Sequence, residues 1–192
     1  GIGGGSPIDA AKAIGLMAEN PGNIVDYMGL GKVKNPLPPV VAIATTSGTG
    51  SEVTQFTIIA DTKNNVKMLI GSPYIVPAIA VNDPMLTLSV PAKTTAATGI
   101  DAFTHAIEAY ISKKAHPFTE TMSLSAIRRI SKYIRRAWAN GDDIEARNEM
   151  MIASMEAGIA FCNSSVTIVH GMSRPIGAVF HIAHGISNAV LL

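Results

Sequence analysis

With 192 residues, 47% of them hydrophobic and 15% charged, the chain is long enough for one domain or two small ones around a large buried core. A net charge of +1 leaves no electrostatic case for nucleic acid or an anionic membrane, and no unbroken apolar run reaches the roughly 18 residues of a membrane span. The single cysteine, Cys162, excludes an intrachain disulfide and fits a reducing, cytoplasmic setting.

In chain order, a Gly/Ser/Pro turn over residues 1–8 opens a helix from about Ile8 to Glu19, which Asn20-Pro21-Gly22 stops. After a proline-broken connector, Val40–Ala44 is a short apolar run, the mark of a strand buried on both faces. Phe56–Ala60 and Val66–Ile70 flank the turn Asp61-Thr62-Lys63-Asn64-Asn65 and predict a hairpin, and Ala78–Val81 predicts another buried strand. Past Pro91 the character changes to helices alone. One covers 92–112, and a second carries a stripe of Leu124, Ile127, Ile134 and Trp138 and ends at Asn140-Gly141. A third is capped by Asp142 with Glu145 and runs to about Ala160, a fourth lies near Val166–Gly171, and a fifth opens at about His184. Residues 1–90 are expected to be α/β and residues 91–192 all-α. Both ends look cut: the chain starts GIGGGS and stops within the apolar run Ala189–Leu192, as expected of an internal piece of a longer protein.

Two polar segments suit a nucleotide. Gly3-Gly4-Gly5-Ser6 precedes a helix, where glycines admit a phosphate to the backbone and the helix N-terminus offers free N–H groups and a positive dipole end. It is neither GxGxxG nor GxxxxGK[ST], and a tight turn capping a helix is the plain alternative. Thr45-Thr46-Ser47-Gly48-Thr49-Gly50-Ser51 follows a predicted strand directly, at the strand end where open α/β sheets gather ligands. Lys67, in the hairpin, reads either as a contact to a nucleotide or as a solvated charge.

Asp101 and His105 are spaced i, i+4, which puts both on one helical face together with Glu108 and Ser112. With His170 and His184 they make an N3O set that suits a divalent ion such as iron(II) or zinc. Taken singly, each is as readily a solvated or hydrogen-bonded residue. No Ser-His-Asp pattern and no cysteine cluster points to acyl transfer or a structural zinc.

GGGSPIDAAKAIG, TTSGTGSEVT, GIDAFTHAIEAY and HGMSRP(x)8HG, in this order across essentially the whole chain, resemble the iron-containing (group III) alcohol dehydrogenases. The resemblance implies part of a Rossmann-like dinucleotide-binding α/β domain (1–90) followed by part of an all-helical metal-binding domain (91–192). This is the dehydroquinate synthase-like arrangement, with the metal in the cleft between the domains. It places the metal ligands at Asp101, His105, His170 and His184, the pyrophosphate turn at Gly4, Gly5 and Ser6, and Asp9 near the nicotinamide end. Thr45, Thr46, Thr49 and Ser51 fall on the second cofactor loop, and Lys67 on the cofactor-contacting lysine. The implied activity is hydride transfer between a primary or secondary alcohol, or its aldehyde or ketone, and NAD or NADP. Fe²⁺ is the implied metal, Zn²⁺ suits the same donors, and a homo-oligomer is expected. Many members carry a helper histidine where this chain has Arg174, and arginine does not give up a proton near neutral pH. His181 is the spare candidate. The alternatives are a glycerol-dehydrogenase-like or dehydroquinate-synthase-like metal enzyme, or a non-catalytic nucleotide- or metal-binding module.

Overall fold

The structure is a computed structural model that describes residues 1–64, 66–180 and 182–192. Its chain divides into two compact units, Gly1–Ala44 with Ser51–Val81, and Thr45–Gly50 with Asn82–Leu192.

The first unit mixes strands and helix. Strand β1 (Ile2–Gly3) runs into helix α1 (Gly5–Glu19), and β2 (Gly29–Leu30), β3 (Val41–Ala44), β4 (Phe56–Asp61), β5 (Val66–Gly71) and β6 (Ile79–Asn82) follow. They form two three-stranded sheets, ordered β1-β3-β6 and β2-β5-β4. Helix α1 exists because Ile8, Lys12 and Leu16 recur at i, i+4 and bury one face. Asn20 stops it: the side-chain amide donates to the Leu16 and Asn35 carbonyls at 3.1 Å each, while its Oδ1 accepts the Asn35 N–H at 3.0 Å. Leu16, Tyr27, Val33, Ile70 and Ile75 make the core of this unit.

The hairpin forms as expected, with Phe56 opposite Gly71 and Asp61 opposite Val66, while its turn residue Asn65 lies outside the described residues. Strands β1 and β2 were not legible, because two residues carry no periodicity. Strands β3 and β6 are also more open than an apolar run implies: Val41 is 41% and Ile79 55% exposed. Helix α1 packs on β3, and β6 is an edge strand, so these side chains have no covering layer among the described residues.

The second unit is helical: α2 (Ala92–Ile111), α3 (Pro117–Ala139), α4 (Ile144–Ser164), α5 (Ile168–Phe180) and α6 (His184–Leu191). Helices α2, α3 and α4 pack on one another through Ala102, Ala106, Ala126, Ala137, Ala146, Ala153 and Ala157, with Ile130, Tyr133 and Met150 filling between them. Small side chains let the helix axes approach closely. Helix α6 lies on α2 and α5.

Three local readings are corrected. The buried face of α3 is Ser123, Ala126, Ile130, Tyr133 and Ala137, so Ile127 and Ile134 flank the core and Trp138 is exposed. The cap of α4 is Asp143, whose carboxylate accepts the Ala146 N–H at 3.0 Å; Glu145 instead accepts Arg136 at 2.8 Å. Helix α5 runs past Gly171 to Phe180, because Gly171 faces open space and Pro175 is accommodated on an exposed side. No single helix among the described residues is long and apolar enough to cross a membrane.

Candidate metal centre and cofactor segments

In the first unit, β1 ends at Gly3 and α1 begins at Gly5, with Gly4 as its cap. Gly3 has φ +147°, and a Cβ there would sit 2.6 Å from the Pro7 ring, so glycine is required for this turn. The parallel register Gly3↔Ala44 means that the glycine turn and residue 45 leave the sheet at the carboxyl ends of neighbouring strands. Gly5 and Ser6 thus open a helix just beyond a parallel strand, the geometry that serves an anion.

Asp9 is engaged within its own unit. Its Oδ1 accepts Ser51 Oγ–H at 2.6 Å, its Oδ2 accepts the Ile58 N–H at 3.0 Å, and its carbonyl accepts Thr57 Oγ1–H at 2.8 Å. Burial pushes the Asp9 carboxyl above its usual value, against the pull of Ser51 and Lys12. Lys12, fully buried, donates to the Ser51, Thr54 and Phe56 carbonyls and to Ser51 Oγ. This pair pins the start of α1 to the segment 51–58. Lys12 was missed in the sequence, where its only signal is its place between Ile8 and Leu16 on the apolar face. Lys67 is exposed on β5, opposite Ala60.

The 45–50 segment belongs to the helical unit, and its glycines serve packing. A Cβ on Gly48 would stand 2.5 Å from the Thr98 carbonyl of α2, and one on Gly50 2.7 Å from Gly158 Cα of α4. The side chains of Thr45, Thr46 and Thr49 are half-buried.

Asp101, His170 and His184 come together, each offering a ligand atom within 4.8 Å of the others. Asp101 Oδ1 stands 3.6 Å from His170 Nε2 and 3.7 Å from His184 Nε2. Ligands about 2.1 Å from one tetrahedral ion are separated by about 3.4 Å, so the donor set and its spacing fit a divalent cation. His105 is next to this group. Its ring lies between Phe161, 4.3 Å away, and His170, 4.4 Å away, both stacked. Its buried Nδ1 makes no hydrogen bond of standard geometry among the described residues, although the Gly48 carbonyl is near enough to the ring to favour its charged form. His181 lies outside the described residues. Arg174 is half-buried on α5, where burial lowers its pKa against the fields of Glu108 and Asp101.

Two residues that the ligand set left out complete the geometry. Glu108, fully buried, accepts Thr167 Oγ1–H and the Val169 N–H, both at 2.7 Å, and its other oxygen is hydrogen-bonded to His170 Nδ1. One carboxylate on α2 therefore caps the start of α5 and fixes the His170 ring, leaving Nε2 to face Asp101. Its sequence signal was its place on the Asp101–His105 face, one turn further on. Asn188, four residues after His184 on α6, donates Nδ2–H to Asp101 Oδ1 at 2.6 Å.

Electrostatics follow from this crowding. Burial raises the Asp101 carboxyl, but His105, His170 and His184 outweigh it and hold it well below the usual carboxylate range. Burial likewise pushes Glu108 up, and its bonds to His170 and Thr167 bring it down to about 2. Burial, with His170 and His184 nearby, lowers His105 to about 3 despite Asp101 and the Gly48 carbonyl, so it is neutral at ordinary pH. His170 is raised: burial opposes, but Asp101 and Glu108 prevail.

Known proteins resemble this chain along its whole length. The family model "Iron-containing alcohol dehydrogenase" matches residues 1–84, and the model for the C-terminal part of the Fe-containing alcohol dehydrogenase family matches residues 95–192. The chain is 47% identical to 1,3-propanediol dehydrogenase of Citrobacter freundii over 191 residues, covering 100% of this chain and 49% of that protein. It is 49% identical to NAD-dependent methanol dehydrogenase of Bacillus methanolicus over 189 residues, covering 98% and 50%. The crystal structure of a 1,3-propanediol oxidoreductase superposes with a TM-score of 0.96 at 46% identity, over 98% of this chain and 50% of that one. The chain thus spans about half the length of the curated relatives it matches. With a model match across each of its two parts, the chain belongs to the iron-containing alcohol dehydrogenase family.

Proposed function

We propose that the chain supplies the metal ligands and a large part of the cofactor site of an NAD(P)-linked oxidoreductase. Its substrate is a primary or secondary alcohol, or in reverse the aldehyde or ketone. The observation that carries this reading is the convergence of Asp101, His170 and His184 from α2, α5 and α6, with the His105 ring stacked on His170 beside them. A divalent cation held by these residues, iron(II) by family and zinc by equal suitability of the donors, would supply Lewis acidity toward an alcohol oxygen, and a bound nicotinamide would supply the hydride acceptor.

The protein's own residues set the conditions. Asp101 contributes one negative charge and the histidines none, so with a divalent cation bound the site would keep net positive charge facing the substrate oxygen. Glu108 orients His170 and keeps its Nε2 directed at the cation position. Arg174 remains a fixed cation and passes no proton. On the cofactor side, the N–H groups at Gly5 and Ser6 beyond Gly4 serve a pyrophosphate, and the hydroxyls of Thr45, Thr46 and Thr49 and the ammonium of Lys67 serve ribose or phosphate. Asp9 and Ser51, bound to each other, brace the turn. Support for a nicotinamide cofactor is the NAD-dependent relative at 49% identity. A homo-oligomer in a reducing compartment completes the proposal.

The test is His170→Ala in the purified protein, with elemental analysis and an NAD(P)-linked alcohol assay on the same samples. Bound metal and turnover are expected to fall together, each at least about tenfold. Retention of stoichiometric metal with wild-type turnover, or undiminished turnover of chelated wild-type protein, would sink the reading.

A further inference from the structure

Asn188 is completely buried, and its amide nitrogen reaches three atoms at once. Nδ2 lies 2.6 Å from Asp101 Oδ1, 3.2 Å from His170 Nε2 and 3.4 Å from His184 Nε2. These are the three atoms whose spacing fits a cation. The carbonyl end of the same amide, Oδ1, has no hydrogen-bond partner among the described residues. An amide –NH₂ has two hydrogens and no lone pair to give, so it binds the same acceptors a cation would and cannot itself be a ligand. A cation about 2.0–2.2 Å from all three atoms lies among them, against the amide hydrogens. The two donors of positive charge compete for one set of lone pairs.

We propose that Asn188 is a positioning residue that competes with the cation: in the metal-free protein its amide donates one hydrogen to Asp101 and turns the other toward His170 and His184, and it swings aside when the ion loads. The residue then stabilises α6 against α2 and α5 chiefly in the metal-free form and lowers the affinity for the ion. The inference rests on the metal reading of the site.

The experiment compares wild type with Asn188→Ala in the purified protein, once chelated and once loaded with cobalt(II), by thermal denaturation and by cobalt titration followed through visible absorption. The loss of stability in Asn188→Ala is expected to be confined mainly to the chelated form. Cobalt should bind the variant about 10- to 100-fold more tightly, the scale of a forfeited charge-assisted hydrogen bond. Equal losses in both forms would make Asn188 merely structural and overturn the proposal. A greater loss in the loaded form with weaker cobalt binding would make it a ligand and overturn it too. Should Asn188→Ala not fold, Asn188→Asp keeps the shape and sets a second carboxylate against Asp101. Its loss is expected only without metal and to be recovered on loading, and an equal loss in both forms overturns the proposal. Failure of wild type to bind cobalt or zinc would strike the metal reading itself, a separate outcome.

Discussion

The two units bury charge in opposite ways. In the α/β unit a cation, Lys12, is surrounded by carbonyl oxygens of Ser51, Thr54 and Phe56. In the helical unit two anions, Asp101 and Glu108, are surrounded by imidazoles, an amide and backbone N–H groups. The Lys12 arrangement is closed: an ammonium has three donors, and the oxygens around it take them all. The Asp101 arrangement is open, for it leaves Asn188 Oδ1 buried without a hydrogen-bond partner among the described residues. Satisfied buried charge holds a fold together, whereas incompletely satisfied buried polar atoms mark a place for a ligand.

That contrast can be broken at three points. The largest expected effect is on Lys12→Met, which leaves three buried carbonyls without their shared donor. It should cost about 3 kcal/mol in chemical denaturation of the purified protein while leaving metal affinity unchanged. A metal affinity that falls in parallel would show that the two arrangements are not separate in kind.

Next is Glu108→Gln, which retains volume but places an amide where a carboxylate held His170 Nδ1 and the first turn of α5. Metal affinity should fall between about 10- and 100-fold. Unchanged affinity would mean that the ring is oriented by stacking on His105 instead. The smallest effect is expected at Asp9. Its folded pKa is raised above its unfolded value, so the folded form holds the proton more tightly. Between the unfolded value and the raised one, wild type therefore loses stability as pH rises. Asp9→Asn should gain on wild type across that same acid window and keep a constant advantage above it. A gap that does not change with pH would remove burial as the dominant influence on Asp9.

Much of this was legible in the sequence where periodicity is long. Helices α1 to α4 and the β4–β5 hairpin follow from apolar spacing and turn residues, and the Asp101–His105 spacing placed both on one face. What escaped has physical reasons. Lys12 looks like any helical lysine until its four acceptors, supplied by residues 51–56, are seen around it. Gly48 and Gly50 look like phosphate-loop glycines, yet they are small because α2 and α4 press against them. Glu108 and Asn188 have partners 62 and 87 positions away, a separation that no local pattern encodes. The ring contacts of His105, stacked between Phe161 and His170, likewise come from residues 56 and 65 positions away.

Gly185 follows His184 on α6, and a Cβ there would come within 1.9 Å of the Ala97 carbonyl of α2. This bears on how the site is assembled in time. An eight-residue helix has too few hydrogen bonds to persist alone in water, so α6 acquires its order only on reaching α2. The contact that admits it brings together segments more than eighty positions apart, a closure paid in chain entropy and hence late in folding. His184 therefore joins Asp101 and His170 only once α6 has docked on α2.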